Sequence, residues 1–153
     1  MLRLKAPGFE RLLQSPSLEA SFGGGEANVA VSLAYYGVDT AFVSVIPDNA
    51  VGDACVRELR GHGVDTSRIL RGGRRLGVYY LETGANQRPS KVIYDRDNSA
   101  ISEAKPGDID WKSVFDGAHW FHISGITPAL SRSAADLSIE AVREAKEQGL
   151  TVS

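Results

Sequence analysis

Cysteine occurs once, at Cys55, so no disulfide can form within the chain, and the secreted disulfide-stapled class is excluded. No run of basic residues exceeds two and the net charge is −2, which argues against a nucleic-acid partner, since that needs a clustered positive field. Uninterrupted apolar stretches fall far short of the roughly 20 residues a membrane span requires. Met1-Leu2-Arg3-Leu4-Lys5 carries no long apolar segment of the signal-peptide kind. A cytoplasmic protein with no nucleic-acid and no membrane partner is therefore expected. The phosphate-loop pattern G-x-x-x-x-G-K-[ST] is absent, and no Cys/His/acid cluster has metal-ligand spacing, so no metal site is assigned.

What is present is enough for one domain with a sizeable core: 153 residues, 42% of them hydrophobic and 24% charged. The most informative stretch is Gly23-Gly24-Gly25-Glu26-Ala27-Asn28, which runs into the apolar segment Val29 to Tyr36. Three glycines strip the side chains where the backbone enters a helix, leaving N–H groups open to a polar ligand. Two readings stand: a ligand cradle, or a tight loop in which Asn28 helps satisfy the helix start. The helix is apolar nearly all round and is expected to be buried. The dinucleotide pattern G-x-G-x-x-G fails at its third glycine, where Asn28 stands, so a neutral polyol suits these glycines better than a pyrophosphate.

Thr40 to Ile46 reads as a buried strand, followed by a helix over Val51 to Arg60 that ends at Gly61 or Gly63. Cys55 lies inside that helix among Val51, Ala54 and Leu59 and is expected to be packing rather than a nucleophile. Ala118 to Ile123 is a second buried strand. Ser131 caps a helix whose stripe is Ala134, Leu137, Ala141, Val142 and Ala145, Gly149 stops it, and Leu150 to Ser153 begins another strand. Strands alternating with crossover-length helices predict an α/β fold with a parallel sheet covered on both faces. The middle differs: Leu76–Leu81 and Lys91–Arg96 flank a polar turn with no helix between, and predict an antiparallel hairpin. Glu10 to Phe22 supplies one or two further short strands, and the whole forms a small sheet at one edge.

Strand alternation places Val92, Tyr94 and Arg96 on one face of the hairpin and Lys91, Ile93 and Asp95 on the other. If Tyr79 and Arg96 share the face that looks toward the glycines, they offer a phenol and a guanidinium to a hydroxylated carboxylate. Otherwise they are an ordinary surface pair. His119 and His122 alternate to opposite faces, which is poor geometry for a shared metal, and His62 sits between two glycines at a helix end. Glu26, Asp48 and Asp53 are carboxylates without a paired partner at helical or strand spacing. Ser124-Gly125-Ile126-Thr127-Pro128 follows a strand, at the carboxyl end where open α/β sheets gather ligands, and is a candidate wall of the site.

Gly23-Gly24-Gly25-Glu26-Ala27-Asn28-Val29-Ala30 resembles the amino-terminal signature of the ribokinase-like (PfkB) sugar kinases. Gly63-Val64-Asp65-Thr66, Tyr94-Asp95-Arg96 and His122 to Leu130 extend the resemblance through nearly the whole chain, toward the 2-keto-3-deoxygluconate kinases in particular. The resemblance implies a ribokinase-like α/β core over 1–8, 24–70 and 98–153, with a β-lid over 9–23 and 71–97. It implies that Gly24, Gly25 and Asn28 cradle the sugar while Tyr79, Tyr94 and Arg96 reach in from the lid. The implied partner is a small-molecule sugar acid, phosphorylated on its terminal hydroxyl by ATP with Mg²⁺.

The family's catalytic base lies in a Gly-Ala-Gly-Asp stretch, and no such stretch occurs here, nor does the Asp-x-Asn-x-Arg that usually follows a strand like Thr151–Ser153. The family's usual opening Gly-Glu-Ile strand is also missing. No catalytic residue is therefore assigned, both ends look cut, and the chain is expected to hold the sugar half of a site without the ATP half. It is expected to be inactive in phosphoryl transfer by itself. Two alternatives remain: a kinase of fructose, ribose or another polyol, and a non-catalytic sugar-binding module or homo-oligomer formed through the β-lid.

Overall fold

The computed structural model describes all 153 residues. In chain order the elements are β1 (Leu2–Lys5), β2 (Glu19–Phe22), α1 (Gly25–Tyr35), β3 (Ser44–Ile46), α2 (Ala50–Gly61), β4 (Ile69–Arg71), β5 (Val78–Glu82), β6 (Lys91–Asp95), α3 (Ala100–Glu103), α4 (Trp111–Phe115), β7 (Trp120–Phe121), α5 (Arg132–Glu147) and β8 (Thr151–Val152). Local chemistry explains the two long amphipathic helices. The Asn49 side chain accepts from the amides of Val51 and Gly52 to start α2, and the Ser131 hydroxyl accepts from Ala134 to start α5. Gly149 then closes α5 at φ +81°, a conformation that a residue with a Cβ resists.

The α/β core is built on parallel pairs. β3 pairs with β4 and β7 with β8, both parallel. Side-chain alternation lets β3 serve two layers. Ile46 packs with Ala30, Cys55, Leu59 and Val64 beneath α1 and α2, whereas Val43 and Val45 face the cluster that α4 and α5 form around Trp111, Phe115 and Leu137. Phe115 and Phe121 meet edge to face at 5.1 Å inside that second cluster. Cys55 is buried as packing in the first cluster, beside Ile46 and Leu59, and burial pushes its thiol up from its ordinary value.

Three expectations are corrected. The core strands form two separate parallel pairs rather than one sheet, because no strand of this chain lies between β3 and β7. A cavity of about 600 Å³ opens there instead, lined by Phe42, Ser44, Trp120 and Phe121 among others. The strand carrying Trp120 is short and Trp120 is 63% exposed, not buried. α1 is not buried either: Tyr35 and Tyr36 are 72% and 81% exposed, since only the side around Ala30 finds a partner within the chain.

The second sheet is built from the segments expected to form the β-lid, together with β1. It has four strands in the order β2-β1-β5-β6, with β1–β2 and β5–β6 antiparallel and β1–β5 parallel. Residues 1–8 therefore do not begin the core, as the domain boundaries supposed. β1 sits in the middle of the lid sheet, because both of its edges are occupied by β2 and β5.

Candidate functional site

The lid's register aligns one row of side chains. Tyr79 stands opposite Tyr94, Arg3 beside Tyr79, and Ser21 opposite Arg3, so Ser21, Arg3, Tyr79 and Tyr94 cross one face of four strands. Arg96, two residues past Tyr94, has its guanidinium carbon 4.6 Å from the centre of the Tyr94 ring, a cation–π arrangement. The Tyr79 and Tyr94 rings lie 6.0 Å apart.

That face meets the glycine loop. A Cβ placed on Gly23 would lie 3.0 Å from the Tyr79 hydroxyl, 3.7 Å from Asn28 Oδ1 and 4.0 Å from Arg3 Nη1, so three polar groups converge on one bare stretch of backbone. α1 begins without any side-chain cap at Gly24, and the Asn28 backbone amide is already bonded to the Gly24 carbonyl at 2.8 Å. The Asn28 side chain is thus not spent on the helix start. This removes the tight-loop account in its capping form.

Behind the loop, the chain closes on itself through Glu26. Its carboxylate accepts from the Ser124 hydroxyl at 2.6 Å and from the Ser124 backbone amide at 3.1 Å. Burial opposes the charged form of Glu26, yet the Ser124 hydroxyl and backbone N–H donors outweigh it and hold the carboxyl below its ordinary value. Gly25 packs close to this contact: a Cβ there would lie 3.1 Å from Ile126 Cδ1 and in ordinary contact with Ser124 Oγ at 3.6 Å. The Ser124–Pro128 turn thereby stands against the glycines.

All six residues expected at the site, Gly24, Gly25, Asn28, Tyr79, Tyr94 and Arg96, lie along this line of glycine loop and lid face. Arg3 and the Glu26–Ser124 contact were not anticipated. The alternation Leu2-Arg3-Leu4 marks a polar side chain on one strand face, but the partner of β1 was not readable. Asp48 and Asp53 lie elsewhere, both held by Arg71 at 3.4 and 2.7 Å. His62 ends α2 with Nδ1 3.0 Å from the Tyr35 hydroxyl, and the exposed His122 reaches Ser153 Oγ at 3.0 Å. The 600 Å³ cavity runs beneath the loop and is lined by Arg3, Gly23, Gly24, Gly25 and Asn28, but not by Tyr79, Tyr94 or Arg96. Its lining is mostly apolar, and the polar groups that meet at Gly23 stand at its lid-side rim.

The sequence model of the pfkB family carbohydrate kinases matches residues 2–152. The chain belongs to that family. It is 40% identical over 151 residues to the 2-dehydro-3-deoxygalactonokinase of Haloferax volcanii, covering 99% of this chain and 47% of the relative. It is 30% identical over 131 residues to the 2-dehydro-3-deoxygluconokinase of Bacillus subtilis, covering 85% of this chain and 40% of that relative. Among solved structures it superimposes on the 2-dehydro-3-deoxygluconokinase of Thermotoga maritima with a TM-score of 0.96 at 52% identity, covering 99% of this chain and 47% of that one. The chain spans about half the length of these pfkB relatives. The pfkB assignment agrees with the ribokinase-like α/β fold and with a carbohydrate kinase as the enzyme class. No helix is long and apolar enough to cross a membrane.

Proposed function

We infer that this chain is the sugar-binding half of a cytoplasmic ATP-dependent kinase acting on the terminal hydroxyl of 2-keto-3-deoxygluconate. The observation that carries the reading is the convergence of Tyr79, Asn28 and bare glycine backbone at one end of the lid face, with Arg96 stacked on Tyr94 at the other. In this reading the Gly24–Gly25 backbone lets sugar hydroxyls approach the start of α1, and the Asn28 amide both donates to and accepts from them. The Tyr79 and Tyr94 hydroxyls border the polyol, and the Arg96 fork takes the carboxylate. The relatives' names, which specify 2-keto-3-deoxy sugar acids, support an acidic substrate.

No Gly-Ala-Gly-Asp stretch occurs in the chain, and no residue is assigned to ATP or Mg²⁺. The reading therefore gives the chain sugar binding without phosphoryl transfer of its own.

Calorimetric titration of the chain and of its Arg96→Ala variant with 2-keto-3-deoxygluconate, fructose and ribose tests this. An Arg–carboxylate hydrogen bond contributes about 1.5–3 kcal/mol. Loss of Arg96 is accordingly expected to weaken the acid about tenfold or more and the neutral sugars much less. Equal affinity for acid and fructose in the parent chain overturns the acidic reading in favour of a neutral-sugar kinase.

One observation favours a second role beside the first. β6 is an exposed edge strand of the lid, with Val92 and Ile93 uncovered, so two copies can join through their lids. Solution mass measured with and without a charge on that edge tests it.

A further inference from the structure

Arg3 is the side chain at the site that no other account explains. Its Nε donates to Ser21 Oγ at 2.8 Å, which fixes the guanidinium plane and leaves both Nη groups uncommitted. Nη1 lies 4.0 Å from the point above Gly23 that the Tyr79 hydroxyl and Asn28 Oδ1 also approach. No carboxylate closes on it. Elsewhere in the lid Lys5 holds Glu19 at 3.2 Å, Arg75 holds Asp95 at 2.9 Å and Arg88 holds Glu82 at 2.9 Å, whereas Arg3 and Arg96 take part in no ion pair. A half-buried guanidinium is costly without an anionic or strongly dipolar partner. Here its free donors share their space with a phenol, an amide and open backbone, which is ligand-binding chemistry rather than surface decoration.

Arg3 stands beside Tyr79 on β1, and Arg96 follows just past the end of β6, two residues beyond Tyr94, the partner of Tyr79 on its other side. With strands about 4.8 Å apart and two steps between them, two long side chains reach one small ligand from opposite sides. A 2-keto acid presents three nearly coplanar acceptor oxygens, two on the carboxylate and one on the ketone, and a single fork satisfies only two of them.

We propose that Arg3 is a second substrate-touching cation of this site, donating through its Nη groups to the 2-keto-acid end of the sugar and selecting 2-keto acids over neutral ketoses. This rests on the sugar-acid reading of the site. Arg3 is thus a specificity-determining residue supplied by a strand that also builds the lid, and Ser21 is the residue that positions it.

The test is titration of the parent chain, Arg3→Met, Arg3→Lys and Ser21→Ala with 2-keto-3-deoxygluconate and with fructose, at low and high salt, alongside thermal midpoints. Arg3→Met is expected to weaken the acid about tenfold or more while changing fructose less than about twofold, and to reduce the salt dependence of acid binding. Arg3→Lys keeps the charge without the fork and is expected to fall between. Ser21→Ala keeps the whole guanidinium and is expected to weaken the acid about two- to threefold, so it carries the test if Arg3→Met does not fold. Acid binding unchanged in Arg3→Met, or acid and fructose weakened equally, overturns the proposal alone. A parent chain that binds no sugar acid overturns the reading of the site and this proposal with it.

Discussion

Replacing Glu26 by glutamine tests whether the glycine loop and the Ser124–Pro128 turn are held together by charge. Glu26 Oε1 accepts two hydrogen bonds from Ser124, at 2.6 and 3.1 Å. Glutamine keeps an acceptor oxygen but loses the charge, so each bond falls from the charge-assisted range of about 1.5–3 kcal/mol to the neutral range of about 0.5–1.5. Two bonds lose about 2 kcal/mol on that scale, and partial exposure of the site lowers the expected cost to about 1–2 kcal/mol. Equilibrium urea unfolding of parent and Glu26→Gln at pH 7 measures it as a shift in midpoint at constant slope. The sign with pH follows from the direction of the shift. The folded carboxyl sits below its ordinary value of 4.5, so its contribution is fully present above that value and is lost as pH falls through the folded pKa. The gap between parent and variant is therefore expected to narrow as pH falls below about 4.5. A gap that is the same at pH 3 and pH 7, or smaller than about 0.3 kcal/mol at pH 7, refutes a charge-held clamp.

Two further outcomes concern the cradle and the lid edge. Gly23→Ala places a methyl group 3.0 Å from the Tyr79 hydroxyl, which must yield, so sugar affinity measured by calorimetry is expected to fall about tenfold, a change of about 1.4 kcal/mol, while the thermal midpoint moves by only a few degrees. A variant with unaltered affinity removes Gly23 from the site. Ile93→Lys charges the exposed edge of β6, and light-scattering mass is expected to drop from dimer to monomer; a monomeric parent chain ends the lid-pairing reading.

The site was legible where a single element decides side-chain direction. Tyr94 and Arg96 are two apart on one strand, so their shared face follows from alternation, and the structure stacks one on the other. The caps of α2 and α5 are equally local, with Asn49 and Ser131 bonded within three residues. Tyr79 was ambiguous because its face counts only once the register with β6 is known, and register depends on the pairing of two segments. Arg3 was missed because β1 takes its place from β2 and β5, which are distant in sequence. Glu26 looked unpaired because Ser124 lies 98 residues away. The buried helix expected over Val29 to Tyr36 failed for a related reason. Apolarity shows that a segment seeks cover, but the cover must be present in the chain, and around Tyr35 and Tyr36 it is not.

By itself the sequence determined the long helices α2 and α5, the Ser131 cap, the hairpin and the glycine loop that opens α1, because backbone conformation, capping and side-chain periodicity act over a few residues. The tertiary structure alone decided which of the polar side chains meet. It brought Arg3 and Tyr79 to Gly23, tied Glu26 to Ser124, and put β1 in the lid rather than the core. These are contacts between segments whose separation along the chain carries no local signal, and they are set by strand register and by the burial that holds the sheets in place.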